Sequence, residues 1–188
     1  VKFSLKAAQP AARTDELDDL SGIDGLIGGS AGDKLNGDNT ANILIGGKGS
    51  DAMRGFEGHD TLKGGAGRDD LKGGADRDSL QGGGAKDKLA GGAGRDLLDG
   101  GKGNDKLIGG KGADTFRFKA NQGNDRIVDF QDDRDQINLK SFGFDSVADA
   151  VSQSRNTNDG NVIFEFDTGG TLTVFDITKG ALSDDVLV

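Results

Sequence analysis

GGKGSDAMR (residues 46–54), GFEGHDTLK (55–63), GGAGRDDLK (64–72), GGADRDSLQ (73–81), GGGAKDKLA (82–90), GGAGRDLLD (91–99), GGKGNDKLI (100–108) and GGKGADTFR (109–117) follow one another without a gap. Glycine opens every nine-residue line. An aspartate stands sixth: Asp51, Asp60, Asp69, Asp78, Asp87, Asp96, Asp105 and Asp114. A large apolar residue stands eighth: Met53, Leu62, Leu71, Leu80, Leu89, Leu98, Leu107 and Phe116. Repetition this strict gives each unit the same task and points to a solenoid. A flexible glycine-rich linker would not need an aspartate and an apolar residue in fixed phase.

The residue types specify the chemistry of one line. Glycines at the first, second and fourth places allow a tight turn over the first six residues. Such a turn aims backbone carbonyls at one point and adds one carboxylate, a partial cage of hard oxygens. Ca²⁺ takes about 6–8 oxygen ligands, so two loops must share an ion. The last three residues suffice for a short strand, whose middle side chain is buried while its neighbours face water. Two lines make one turn of the coil, so each line stacks on the second line after it. Asp51, Asp69, Asp87 and Asp105 then form one column, and Asp60, Asp78, Asp96 and Asp114 the other. Without cations these are ladders of like charge, so Ca²⁺ is expected to be part of the folded state. The expected fold is all-β, a parallel β-roll.

These lines resemble the calcium-binding nonapeptide G-G-x-G-x-D-x-U-x of the RTX family of secreted bacterial proteins. Five loops fit the pattern fully, and the resemblance implies that their backbone carbonyls and aspartates hold the ions. They are Gly46-Gly47-Lys48-Gly49 with Asp51, Gly64-Gly65-Ala66-Gly67 with Asp69, Gly91-Gly92-Ala93-Gly94 with Asp96, Gly100-Gly101-Lys102-Gly103 with Asp105, and Gly109-Gly110-Lys111-Gly112 with Asp114. Three depart from it, with Phe56 second, Asp76 fourth and Ala85 fourth. Phe56 and Ala85 lack glycine's freedom, so weaker binding is expected in their loops.

The phase extends backward. Residues 28–36 keep Asp33 and Leu35 in register, and Asp33 joins the expected ligands. Residues 37–45 carry Asn42 where aspartate belongs, either a weaker ligand or a plain structural turn. Residues 19–27 keep Gly22, Asp24 and Leu26, and residues 10–18 keep Asp15 and Leu17. The reading is twelve lines, hence six turns, with the first two worn into a cap. Residues 1–9 read as a tether or a first strand. The expected organisation is a tether and degenerate cap over 1–27, the roll over 28–117, and a β-rich cap over 118–188.

In the last part, residues 115–118, 125–130 and 135–139 alternate as strands. Asp125, in Gly123-Asn124-Asp125-Arg126-Ile127, still echoes the repeat and is expected to close one ligand column. Residues 145–153 read as a helix with Asp145 or Ser146 as N-cap. Residues 161–166 and 171–175 read as a hairpin. Phe130, Phe142, Phe144, Phe164, Phe166 and Phe175 are expected to form a small core. The runs TFRF, DRIVDF and DQINL are similar to the C-terminal part of RTX proteases, lipases and mannuronan epimerases. Asp184-Asp185-Val186-Leu187-Val188 resembles the C-terminal signal of type I secreted proteins, and reads equally as a last strand.

Composition agrees with this. The 188 residues include 34 glycines, no cysteine and 33% hydrophobic residues, too few to fill a conventional core easily. Zero cysteine suits an extracellular protein that uses no disulfides. No apolar run is long enough to span a membrane. Val1 is not an initiator methionine and no signal peptide is read, so a fragment or processed piece is expected. Residues 28–117 carry 14 acidic and 14 basic side chains, and residues 118–188 carry 13 and 6. A roll that is neutral when empty becomes cationic when loaded with ions. Its basic flat faces would then attract an anionic polymer such as alginate or lipopolysaccharide.

No catalytic machinery is read. The zinc-protease H-E-x-x-H pattern is missing, no G-x-S-x-G nucleophile elbow is read, and no Asp-Pro bond offers a self-cleavage site. His59, the only histidine, has no second histidine or cysteine to complete a zinc site and is expected to face solvent. The expectation is a monomeric, non-catalytic, calcium-folded module of a secreted bacterial protein. The type I export apparatus is its transient partner, and neither nucleic acid nor a membrane span is involved. Calcium-dependent polysaccharide binding and an adhesive surface array are the alternatives.

Overall fold

The computed structural model describes residues 5–7, 17–19, 25–167 and 169–188. Gly22, Asp24 and Asp15 of the expected cap lines lie outside the described residues.

Two sheets face each other. The first contains β1 (Leu5–Ala7), β3 (Gly25–Ile27), β5 (Ile43–Lys48), β7 (Thr61–Ala66), β9 (Ser79–Gly84), β11 (Leu97–Lys102), β13 (Thr115–Arg117), β15 (Gln136–Asn138) and β19 (Val186–Leu187) in that order. The second runs from β2 (Leu17–Asp19) through β4 (Lys34–Asn36), β6 (Ala52–Phe56), β8 (Asp70–Ala75), β10 (Lys88–Gly94), β12 (Lys106–Gly112) and β14 (Asn124–Ile127). It ends with β18 (Thr171–Val174), β17 (Val162–Glu165) and β16 (Ser154–Asn156). Within the roll every pairing is parallel at an interval of 18 residues, as Leu44↔Leu62 and Leu71↔Leu89 show. This is the parallel β-solenoid of about six turns that the nine-residue period implies.

The strands outrun their three expected residues. Thr61–Ala66 joins the last three residues of one line to the first three of the next. The glycine pair is therefore part of the ladder, and the bend falls on the fourth to sixth places. Between the sheets lies one layer of side chains. Leu44, Leu62, Leu80, Leu98 and Phe116 of the first sheet meet Leu35, Met53, Leu71, Leu89 and Leu107 of the second, all essentially inaccessible. Burying each contributes roughly 1.5–3 kcal/mol.

Before Gly25 the period fails. Leu17 pairs with Lys34 and Asp18 with Leu35, an interval of 17, while Leu5 pairs with Gly25, an interval of 20. The nine-residue phase read over residues 10–18 is thus one residue off. No glycine opens that line to force the bend at the expected place.

At the other end the cap extends both sheets instead of packing beside them. Two residues are added before β14 and three before β15, so Leu107 pairs with Ile127 and Phe116 with Ile137. Helix α1 (Val147–Ser152) starts at Ser146, whose hydroxyl accepts from the Asp149 N–H. The hairpin of β17 and β18 forms as read, and β14 runs parallel to β18. Phe164 is fully buried, and Phe142 stacks on Phe166 at 4.2 Å. Phe175 stays outside the core, whose interior is completed by Val162, Leu172, Val174, Ile177 and Leu182.

Candidate metal centre

The sixth-place aspartates are buried at the two edges of the roll, 0–2% exposed from Asp51 to Asp114. In each, Oδ1 accepts the backbone N–H of the sixth-place residue one turn earlier, which is Asn42 for Asp60 and an aspartate for the rest. Asp51 donates to Asp69, Asp69 to Asp87 and Asp87 to Asp105, each at 2.8 Å, and Asp105 donates to Asp125 at 2.9 Å. On the other edge Asp60 donates to Asp78 and Asp78 to Asp96 at 2.8 Å, and Asp96 to Asp114 at 2.9 Å. The two expected columns are therefore continuous backbone-to-carboxylate ladders.

The second oxygens decide the chemistry. Oδ2 of Asp51, Asp60, Asp69, Asp78, Asp87, Asp96, Asp105 and Asp114 is buried and has no hydrogen-bond donor. Leaving a charged acceptor so costs at least about 1–3 kcal/mol each. Each Oδ2 faces the first glycine of its own line, and from Asp51 to Asp87 a carbonyl of the next turn stands beside it. A Cβ added at Gly46 would lie 2.7 Å from the Gly64 carbonyl oxygen and nearer still to Asp51 Oδ2. Gly55, Gly64, Gly73 and Gly82 repeat this arrangement. Two acceptors thus meet where no donor enters, and a hard cation fits the set. Among the described residues no three acidic or histidine side chains converge on one point. With one carboxylate per turn on each edge, a cation there would draw its remaining ligands from backbone carbonyls of the glycine-rich loops.

Burial pushes these carboxyls up, against the lowering effect of the accepted N–H. Asp51, Asp60, Asp96 and Asp114 rise to about 6, with neighbouring carboxylates adding to the effect at Asp51, Asp60 and Asp114. Asp78 and Asp87 rise to about 7, where carboxylates of adjacent turns also press on them. In effect the fold demands either a proton or a cation at each rung.

The three departures from the repeat keep the backbone they replace. Phe56 (φ 84°), Asp76 (φ 74°) and Ala85 (φ 78°) all hold the left-handed conformation. Phe56 is also 43% exposed, so it is not anchored by burial. Asp76 finds a partner one turn back, its carboxylate accepting the Gly58 N–H at 3.2 Å. His59 is exposed as expected, and its Nδ1 accepts the Arg77 N–H at 3.1 Å. Asp99, ninth in its line and expected to face water, is instead 1% exposed. Arg117 at 2.9 Å and Lys119 at 3.0 Å cover it.

The column ends differ from the middle. Asp33 accepts the Gly29 N–H through Oδ2 at 2.7 Å, and the Asn42 amide oxygen accepts the Asp38 N–H at 2.8 Å. Asp125 does continue its column, is 3% exposed and is pushed up to about 7 by burial, with Asp105 and Asp99 adding to the rise. The sequence reading missed Asp135. It accepts the Asp114 N–H through Oδ1 and the Gln131 N–H through Oδ2, both at 3.0 Å. Its signal was present, since Asp135-Gln136-Ile137 repeats the order aspartate, polar, apolar of the sixth to eighth places. The 21-residue interval to Asp114 hid it.

The letters G-x-S-x-G do occur, at Gly28-Gly29-Ser30-Ala31-Gly32, which corrects the sequence reading. They form the loop between β3 and β4. A nucleophile elbow needs a strand, a sharp turn and a helix, and no helix follows here.

Comparison with characterised protein sequences gives no match. Among solved structures the chain is similar to an extracellular lipase from Serratia marcescens, at 15% identity and a TM-score of 0.43, over 94% of this chain and 43% of that one. The chain thus spans less than half of the lipase. It is also similar to a subunit of the mannuronan C5-epimerase from Azotobacter vinelandii, at 24% identity and a TM-score of 0.39, over 86% of this chain and 80% of that one. Likeness at this level carries no argument. The family model of the RTX calcium-binding nonapeptide repeat matches residues 18–53, 27–62, 54–89 and 81–116, together more than half of the chain. Repeat phase, aspartate ladders and family model coincide, and the chain belongs to the RTX calcium-binding nonapeptide repeat family.

Proposed function

We propose that this chain is the calcium-dependent folding and export module of a secreted bacterial protein. The observation that carries the reading is the set of eight buried carboxylate oxygens without a donor. Asp51, Asp60, Asp69, Asp78, Asp87, Asp96, Asp105 and Asp114 would hold the ions, with loop carbonyls of residues 46–49, 64–67, 91–94, 100–103 and 109–112. Bound Ca²⁺ supplies positive charge between successive turns and satisfies those oxygens. The glycines keep the loops close enough for two turns to share a site. Asp33 and Asp125, at the ends of one column, would be the weaker members.

In a cytosol poor in Ca²⁺ the like-charged ladders oppose stacking, and the chain stays extended for a type I exporter. Outside, Ca²⁺ at about millimolar levels reaches weak extracellular sites. Ten times the dissociation constant adds about 1.4 kcal/mol per site, so eight sites add about 11 kcal/mol. That is comparable to the whole stability of a domain. The terminal segment supports the same order of events. Val186–Leu187 pairs with β15 and Asp185 is 5% exposed, so the folded molecule hides what an exporter would read.

Circular dichroism of the full chain with Ca²⁺ and with chelator tests the folding part. The expected result is a β-sheet spectrum and cooperative melting only with Ca²⁺; identical spectra would overturn it. Deleting residues 185–188 tests the export part. Secretion should stop, and undiminished secretion would remove the signal reading while leaving the calcium reading intact.

A further inference from the structure

Asn36-Gly37 is the only asparagine–glycine pair in the chain; every other asparagine precedes a residue that carries a side chain. Glycine has no Cβ, so its backbone nitrogen is unshielded and its main chain turns freely. Both properties favour attack by the Gly37 nitrogen on Cγ of Asn36. The folded roll holds the pair in a form that cannot react. Asn36 ends β4, paired with Arg54 on one side and Asp19 on the other. The Gly37 N–H donates to the Arg54 carbonyl at 2.8 Å. An extended main chain keeps that nitrogen away from Cγ, and the hydrogen bond retains its proton. Gly37 is buried with no room to turn: a Cβ there would stand 2.7 Å from the Gly55 carbonyl oxygen and nearer still to Asn42 Oδ1.

We infer that Asn36 is a site of spontaneous deamidation, shielded in the calcium-loaded roll and exposed in the calcium-free chain. In the reaction the Gly37 nitrogen bonds to Cγ, and the side-chain amide nitrogen leaves as ammonia, taking the Gly37 proton. The five-membered imide then takes up water at either carbonyl. One opening gives aspartate. The other gives isoaspartate, whose main chain runs through the side-chain carbon and is one atom longer. The only co-reactant is water. The consequence follows from the fit of β4 on β6, where Leu35 pairs with Met53 and Asn36 with Arg54. One extra main-chain atom at Asn36 takes the Gly37 N–H off Arg54 and drives the turn into the Gly55 carbonyl. Isoaspartate there prevents this turn from re-forming when calcium returns, so the chain keeps a record of time spent without the ion. Position adds to the effect. β4 lies beside the end where the period fails, and the flanking loops are those of Asp33 and Asn42, whose oxygens already have donors. Such ends open at lower cost than the middle of a stack, so falling calcium releases Asn36 early.

The inference rests on the calcium-dependent folding proposed above, and the experiment separates the two. The full chain is aged in mildly alkaline buffer with Ca²⁺, with chelator, and with Ca²⁺ in concentrated urea. Peptide mapping by mass spectrometry reads the exchange of –NH₂ for –OH, and chromatography separates isoaspartate from aspartate. Asn36 should convert at least about ten-fold faster with chelator or urea than with Ca²⁺ alone. In urea it should convert before Asn39, Asn121 and Asn158, which are exposed even in the folded chain. Loss of Asn36 as fast in Ca²⁺ as in urea overturns the inference, and so does urea converting the other asparagines first. If chelator leaves the circular dichroism unchanged while urea exposes Asn36, the proposed function fails and the deamidation site stands. The variant N36Q, whose longer side chain would have to close a less favourable six-membered ring, is aged in parallel. Once calcium is restored, N36Q should regain its full ion count and melting temperature, and the parent only in proportion to its unmodified fraction. Equal recovery of the two would overturn the record of calcium-free time.

Discussion

The middle and the ends of the aspartate columns use the same residue type in two ways. From Asp51 to Asp114 each carboxylate gives one oxygen to the neighbouring turn and keeps the other buried without a donor. At Asp33 and Asp135 the second oxygen, and at Asn42 the single amide oxygen, accepts an N–H from four residues earlier in the chain. A rung of the first kind needs an ion from outside. A rung of the second kind already has a donor for that oxygen, so it would hold an ion more weakly. The lesson is that the repeat specifies the position of a carboxylate, while its immediate neighbours specify whether it is free to bind.

Removing calcium should break the comparison most severely. The middle rungs would then repel, and about 11 kcal/mol of linked stability would be lost if the sites stand at ten times their dissociation constants. Chemical denaturation with and without chelator measures this. Next, Asp87→Asn removes one charge from the middle of a column. It should lower the number of ions bound, read by equilibrium dialysis, and cost about 1.4–3 kcal/mol, one or two sites' worth. Asp135→Asn should leave the ion count unchanged and cost about 1 kcal/mol, the worth of a hydrogen bond. Equal ion loss in both variants would erase the distinction.

A pH titration of the demetallated chain sharpens it further. Unfolded aspartates titrate near 3.9. The middle rungs are raised to about 6 at Asp51, Asp60, Asp96 and Asp114 and to about 7 at Asp78 and Asp87. The folded state therefore binds more protons than the unfolded one. Its contribution from these groups is fully present below pH 3.9 and is lost as pH rises through 6 to 7. Residual β structure without metal should be greater at pH 5 than at pH 8, as circular dichroism would show. With Ca²⁺ present the dependence should reverse, because protons compete for the same oxygens. The smallest effect belongs to the strained loops. Ala85→Gly relieves a left-handed alanine at φ 78° and should raise stability by about 1 kcal/mol, measured by thermal melting in Ca²⁺.

The cap shows where reading the sequence stops working. In the roll the repeat interval is constant, so Leu62 on Leu80 and Asp69 on Asp87 could be stacked on paper. After Arg117 the same partnerships persist at intervals of 20 and 21 residues, so Asp125 was legible from its flanking Gly123-Asn124 while Asp135 was not. Asp129 shows a further device. Its two oxygens accept the Gly109 and Gly110 N–H groups at 2.9 Å each, standing in for the carbonyls of a turn that is not there. Gln131 accompanies it by donating to the Gly110 carbonyl. No periodicity announces side chains that imitate backbone. The column through Asp125 ends because Leu172 pairs opposite it, an apolar residue brought from 47 positions away.

By itself the sequence determined the coil: its period, its two aspartate columns, its single leucine layer and its need for hard cations. These follow from contacts that recur at one fixed interval, so every line carries the same information. Tertiary structure alone decided which carboxylate oxygens remain without a donor and where each column stops. Those outcomes depend on which groups from unequal chain intervals meet at the edges and ends of the sheets, and the period cannot encode such meetings.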